Sequence, residues 1–292
     1  MTAAETDSET AAVVAPVAEI GVIGGSGLYE LLDDVTEVTV GTPYGPPSDA
    51  LFVGAIGGRS VAFLPRHGRG HRIPPHRINY RANLWALHAL GVRQVVAPCA
   101  VGGLRAEFGP GTLLVPDQFV DRTSGREQTF YDGVALPGGH VPEVLHVSAA
   151  DPYCPAGRAA ALAAARAQAW EPVDGGTLVV IDGPRFSTRA ESRWFSSNGW
   201  SVVGMTGHPE AVLARELGIC YSSLALVTDL DAGVESGEGV THAEVLAVFA
   251  RNVDRLRTVL FQAVENLPAT RDCVCSHALD GAVTGLPGVP SA

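Results

Sequence analysis

The sequence predicts an α/β fold, a central mixed and twisted β-sheet flanked by α-helices, and three observations predict it. Short apolar runs rich in Val, Ile and Leu alternate with helical patterns along most of the 292 residues. Glycine-rich turns follow several of those runs. No internal repeat or interior linker breaks the alternation, so a single domain is expected over residues 19–267. It lies between an N-terminal tail, 1–18, expected to be disordered, and a Gly/Pro/Ala-rich tail, 268–292, expected to carry little core of its own.

Taken in order, residues 19–27 read as a buried strand running into a glycine turn. Further strands are expected at 51–56, 61–64, 94–97, 113–115, 177–181, 200–203 and 219–228. Pro74-Pro75 open a helix whose apolar stripe is Ile78, Ala82, Trp85 and Ala89. Residues 156–170, rich in Ala and Arg, have strong helix propensity. Thr188-Arg-Ala-Glu191 has capping-box spacing and opens a helix that Gly199 ends. A short helix over 209–217 stops at Gly218. Thr241-His-Ala-Glu244 is a second capping box, followed by the stripe Leu246, Phe249, Val253, Leu256, Leu260 and Leu267.

Composition excludes several function classes. Twenty basic against thirty-one acidic residues leave a formal charge of −11, whereas a nucleic-acid partner needs a basic face. No apolar run approaches the roughly 18–20 residues of a membrane span. Glu5, Asp7 and Glu9 stand where a secretory signal needs basic residues and a transit peptide needs Arg, so a cytoplasmic protein is expected. The five cysteines, Cys99, Cys154, Cys220, Cys273 and Cys275, are odd in number and widely spaced, unlike a secreted disulfide framework. Cys273-Val-Cys275 lacks a matching Cys/His pair at zinc spacing. Two reduced thiols and no metal are therefore expected there.

Candidate chemistry gathers just beyond strand ends, where α/β proteins hold ligands. Gly24-Gly25-Ser26-Gly27 suits either an anion held on backbone amides and a hydroxyl or a plain tight turn. It fails the G-x-G-x-x-G spacing of a dinucleotide fingerprint, which disposes of a nicotinamide-dependent oxidoreductase. Arg66-His67-Gly68-Arg69-Gly70-His71 concentrates cationic groups in an acidic chain, and Arg is suited to bidentate phosphate contacts. Ala97–Gly103, Asp182–Thr188 and Gly204–Glu210 are three further glycine-bearing segments of this kind. Asp229 and Asp231, two apart in extended chain at the end of the most apolar strand, aim to one face. Such a pair binds a metal, works as acid and base, or caps a turn.

As a whole the sequence resembles the trimeric purine nucleoside phosphorylase family, and within it the methylthioadenosine phosphorylases most closely. The motifs that carry the resemblance run in family order from about residue 20 to 267. They are Ile23-Gly-Gly-Ser-Gly27, Thr42-Pro-Tyr-Gly45, Arg66-His-Gly68, Asn79-Tyr80, Ala82-Asn83, Asp117-Gln-Phe-Val-Asp-Arg-Thr123 and Phe130-Tyr-Asp132. Gly183-Pro-Arg-Phe-Ser187, Ala190-Glu191, Met205-Thr206 and Thr228-Asp-Leu-Asp231 complete them.

The resemblance implies a purine nucleoside phosphorylase-like fold, a homotrimer, and a purine nucleoside and phosphate as substrates, with no metal or organic cofactor. The implied reaction cleaves S-methyl-5′-thioadenosine to adenine and 5-methylthioribose 1-phosphate, a step of purine and methionine salvage, with adenosine as a further substrate. By resemblance Ser26, Arg66, His67, Ala100 and Thr206 hold phosphate. Cys99 stands where the family often has Thr, and a thiol is the weaker donor. Phe186, Ser187 and Met205 lie by resemblance beside the nucleoside, and His146 reaches from a neighbouring subunit toward the methylthio group. Asp229 is expected to protonate adenine N7, its proton held by the nearby charge of Asp231, while Asp231 accepts from the N6 amino group. Two alternatives stay open: a phosphorylase of 6-oxopurine nucleosides or methylthioinosine, and a non-catalytic nucleoside-binding protein.

Overall fold

The computed structural model describes residues 18–24, 35–234, 240–280 and 286. In chain order its strands and helices are β1 (Ile20–Gly24), β2 (Thr36–Val38), β3 (Leu51–Ile56), β4 (Arg59–Pro65), α1 (Tyr80–Ala89), β5 (Gln94–Gly103), β6 (Leu113–Val115) and β7 (Gln118–Arg122). They continue as α2 (Pro155–Ala167), β8 (Val173–Asp174), β9 (Thr177–Ile181), α3 (Arg189–Ser197), β10 (Val202–Gly204), α4 (Gly207–Glu216), β11 (Cys220–Leu230) and α5 (His242–Asn266). Among the described residues, eleven strands form one mixed sheet between helical layers. No helix among them is long and apolar enough to cross a membrane.

Strand alternation decides which residues meet which layer. Ile23, Ala62 and Leu64 face α1 and α4, through Leu84, Leu87, Leu213 and Ala214. Val22, Val61 and Phe63 face α2 and α5, through Ala161, Ala165, Leu256 and Leu260. Burying each of those leucines contributes roughly 1.5–3 kcal/mol.

The long strand β5 organises the sheet. On one side it pairs with β11 along its whole length. On the other, Gln94–Val96 pair in parallel with β1, whereas Gly102 and Gly103 pair antiparallel with β10. Between those two pairings, over residues 97–101, β1 and β10 part. A crevice opens at the carboxyl ends of the parallel strands, as it does where neighbours diverge in open α/β sheets.

Several elements depart from the sequence reading. Pro74-Pro75 do not open the α-helix: residues 75–77 make a 3-10 turn, Ile78 is extended, and α1 starts after Asn79, whose side chain accepts from the Ala82 N–H at 3.1 Å. Strand β5 runs on to Gly103, through Pro98 and two glycines, because β11 accompanies it throughout. Strands β2, β7 and β8 are additional, and α4 includes Gly207 and a non-helical His208 (φ −116°, ψ 134°) ahead of the helix expected from Pro209. Ala18 belongs to the core rather than to a tail, its N–H bonded to Leu90 O. The C-terminal segment also packs on the body, burying Cys275, Leu279 and Leu286. Cys273 and Cys275 are not isolated, since Cys154 and Cys220 join them in one cluster. The matching pair that spacing rules seek nearby lies 119 and 53 residues from Cys273.

Candidate active site

The crevice holds a cavity of about 230 Å³. It brings together Arg66, His67, Cys99, Ala100, Phe186, Ser187, Met205, Thr206, Asp229 and Asp231. These come from segments scattered over 166 positions, and the ends of β4, β5, β10 and β11 deliver most of them. Two expected residues are elsewhere. Ser26 lies outside the described residues. His146 is exposed, in a stretch without helix or strand, and does not line the cavity of its own chain.

At one end of the cavity, Arg66 is fully buried and held rigidly. Its Nε and Nη2 donate to the two carboxylate oxygens of Glu210 at 2.5 and 3.0 Å, and Nη1 donates to Pro98 O at 3.0 Å. Tyr221 donates its hydroxyl to the same carboxylate at 2.7 Å. Burial works against the Arg66 charge, but Glu210 overcomes it and drives the guanidinium pKa up. Three of its five N–H groups are thus committed, which leaves two for a ligand. Glu210 and Tyr221 were not singled out in the sequence. Glu210 closes the segment already suspected at 204–210, but its partner lies 144 residues away.

The basic loop is less cationic than its composition suggests. Burial, with Arg66 alongside, lowers His67 to about 3, the bond to Ile73 O opposing weakly. The ring is therefore neutral. Its Nδ1 donates to Ile73 O at 2.9 Å, so Nε2 is an acceptor. His71 stacks on that ring at 4.2 Å and is also lowered by burial. Arg69 leaves the site altogether, paired at the surface with Asp49 and Glu37.

Cys99 lines the cavity, with its sulfur 3.5 Å from Ser223 Oγ. The Ser223 hydroxyl already donates to Ala97 O at 2.8 Å, so the thiol is the donor in that pair. Burial raises its pKa and keeps it neutral. Thr206 sits at the start of α4 with no capping bond from its side chain, so the hydroxyl is not consumed by the helix.

At the opposite side lie the two carboxyls. A register shift between Val227 and Asp229 interrupts β11. The pair therefore reaches the cavity by way of a bulge, not by regular alternation. Both lean over Gly102, where an added Cβ would stand 3.0 Å from Asp229 Oδ2 and 3.5 Å from Asp231 Cβ, so a side chain there would press on the pair. Asp229 is raised to about 6, first by burial and to a lesser degree by Asp231 and Glu244, against the Thr228 hydroxyl that donates to Oδ1 at 2.8 Å. The expected cause was the Asp231 charge; burial is the larger one. Asp231 is raised too, again by burial, although the Ser192 and Ser187 hydroxyls favour its charged form. Among the described residues, its Oδ2 and Ser187 Oγ are buried with no partner at hydrogen-bond geometry. Buried polar atoms are rarely left so, except where a ligand completes them.

One wall was not foreseen. Val245, Leu246 and Phe249 of α5 line the cavity. Leu246, assigned by periodicity to the core stripe, is 44% exposed and serves this apolar wall instead.

Residues 19–265 match the phosphorylase superfamily model. A purine nucleoside phosphorylase of Streptomyces coelicolor is 73% identical over 92% of this chain and 97% of its own. An S-methyl-5′-thioadenosine phosphorylase of Mycolicibacterium smegmatis is 55% identical over 92% and 98%. Among solved structures, methylthioadenosine phosphorylase from Schistosoma mansoni in complex with adenine superposes with a TM-score of 0.82 at 40% identity, covering 87% of this chain and 93% of that one.

Proposed function

The chain belongs to the phosphorylase superfamily, and from that premise we propose that its cavity performs phosphorolysis of S-methyl-5′-thioadenosine, giving adenine and 5-methylthioribose 1-phosphate. Adenosine is the second substrate of this reading. The observation that carries it is the pair of carboxyls at the base end, one poised near neutrality and one with an unpartnered oxygen. Adenine presents an N7 acceptor beside an N6 donor. A protonated Asp229 donates to N7 while Asp231 Oδ2 accepts from the amino group.

Phosphate takes the other end. The two free N–H groups of Arg66, the Thr206 hydroxyl and the Ala100 segment supply donors, with Ser26 as a further one by resemblance. Neutral His67 accepts through Nε2, which suits the P–OH of a monoprotonated phosphate. The phosphate then attacks C1′ as the glycosidic bond breaks, and the bond's electrons pass to the purine. Asp229 neutralises that charge by giving its proton to N7. Arg66, already fixed by Glu210, needs no reorganisation as charge develops. Phe186, Met205 and Leu246 enclose the sugar and its methylthio end, with His146 of a neighbouring subunit closing the site. The reading is of a cytoplasmic enzyme that uses phosphate as co-substrate and no catalytic cofactor.

A second reading, a purine nucleoside phosphorylase acting on 6-oxopurines, is supported by the name of the Streptomyces relative. The two readings part at Asp229. Hypoxanthine places an oxygen where adenine has its amino group, so a carboxyl pair is mismatched by about 1–3 kcal/mol per buried group. Asp229→Asn supplies an amide donor. The ratio of catalytic efficiencies for methylthioadenosine and inosine is expected to fall at least tenfold in this variant. An unchanged ratio would mean that Asp229 does not read the base.

A further inference from the structure

We propose that Cys154, Cys220, Cys273 and Cys275 form a structural tetrathiolate site for one zinc-class divalent cation, remote from the catalytic cavity. Their four sulfurs all lie within 4.8 Å of one another. Cys273 Sγ is 3.7 Å from Cys154 Sγ and 3.3 Å from Cys220 Sγ. A tetrahedral ion with metal–sulfur bonds of about 2.3 Å sets its sulfurs about 3.8 Å apart, so the spacing is that of a coordination shell. One sulfur touching two others is the pattern of a shared centre, since a disulfide has a single partner. A donor set of four thiolates without carboxylate or imidazole selects zinc over harder cations.

The surroundings fit a closed site. Cys154, Cys220 and Cys275 are buried, and half-buried Cys273 gives an entry path. Cys154 is the N-cap residue of α2, with no capping bond from its side chain. That helix end and the buried Arg215 beside Cys275 offset the negative charge of a tetrathiolate. Backbone bonds from Cys154 N to Tyr221 O and from Cys220 N to Arg93 O fix two of the ligands. Gly157 permits the close approach: a Cβ there would meet Ser222 Oγ at 2.8 Å and push α2, with Cys154, off β11.

The site would tie three separate parts of the chain together: the start of α2, the start of β11, and a C-terminal segment with no helix or strand among its described residues. Cys220 and Asp229 stand nine residues apart on β11, about 30 Å in an extended strand. None of the four cysteines lines the cavity, so the ion would serve the fold, although Tyr221, next to Cys220, bonds Glu210. Each thiol gives up its proton on binding.

The test uses the full-length protein purified without chelators or added metal. Plasma mass spectrometry is expected to find about one zinc per chain, and the cobalt-exchanged protein is expected to show thiolate charge-transfer and tetrahedral d–d bands. Cys273→Ser, at the half-buried position, is expected to lower metal content at least tenfold and reduce thermal stability, with kcat at moderate temperature retained. Two results would overturn the proposal. One is wild-type protein lacking stoichiometric metal after growth with zinc, whether its thiols are free or joined in two disulfides. The other is a metal content that Cys273→Ser leaves unchanged.

Discussion

Removing Arg66 also strands Glu210, so its two roles must be read separately. Arg66→Ala deletes a charge-assisted phosphate contact worth about 1.5–3 kcal/mol, and the KM for phosphate is expected to rise by at least tenfold while that for nucleoside changes little. The same variant leaves a buried carboxylate unpaired, for which about 3–5 kcal/mol of stability is lost. Denaturant unfolding reads that second loss. An unaltered KM for phosphate would remove Arg66 from the anion site. Asp229 gives the complementary case, a functional group that destabilises its fold. Its pKa is raised from 3.8 to about 6, so the stability it permits is fully present below 3.8 and lost as pH climbs through about 6. Asp229→Asn is expected to unfold at a higher temperature than wild type at pH 7.5, with the gap closing at pH 4. A gap independent of pH would show that ionisation at this position is not the cause.

Helix α5 joins the core to the cavity wall, and the two roles separate along its length. Its Thr241–Glu244 capping box forms as the sequence predicts, with the Thr241 side chain accepting from Glu244 N at 3.3 Å. The first turns then present Leu246 to the cavity and later ones bury Leu256 and Leu260. Leu246→Ala is expected to move stability by no more than about 0.5 kcal/mol, as for an exposed position. It is expected to raise the KM for methylthioadenosine several-fold and leave that for phosphate unchanged. A large stability loss with normal KM would return Leu246 to the core. Local signals explain what could be read at this scale: caps, β-branched runs and glycine stops act within a few residues. Pro74-Pro75 misled because Ile78 and Asn79 reset the chain before α1. Leu246 misled because periodicity records an apolar face but not whether protein or ligand covers it. The basic loop, the 204–210 segment and Asp229 with Asp231 were legible as chemistry. The Arg66–Glu210 pair and the four-cysteine cluster depend on contacts between distant segments, which no local pattern encodes, and the neutral state of His67 depends first on burial.

At the scale of the molecule, the parting of β1 and β10 along β5 makes the cavity, and the mixed sheet makes that parting possible. The proposed reaction uses the opposite ends of that one crevice for phosphate and base, with C1′ between them. The chain also carries exposed apolar side chains. Val134, Val141 and Val144 are 63%, 47% and 71% exposed, in the same stretch without helix or strand that carries His146. A homotrimer whose subunits complete one another's sites would cover them by closed symmetry. Sedimentation at working concentration is expected to give a trimer, and a fully active monomer would contradict that arrangement. The central claim is phosphate-dependent cleavage of a 6-aminopurine nucleoside. Its most direct test is product analysis with methylthioadenosine, adenosine, inosine and methylthioinosine, each with and without phosphate. The account predicts adenine and 5-methylthioribose 1-phosphate from methylthioadenosine only when phosphate is present, with the highest catalytic efficiency of the four. Preferential cleavage of inosine or methylthioinosine, or release of adenine without phosphate, would contradict it.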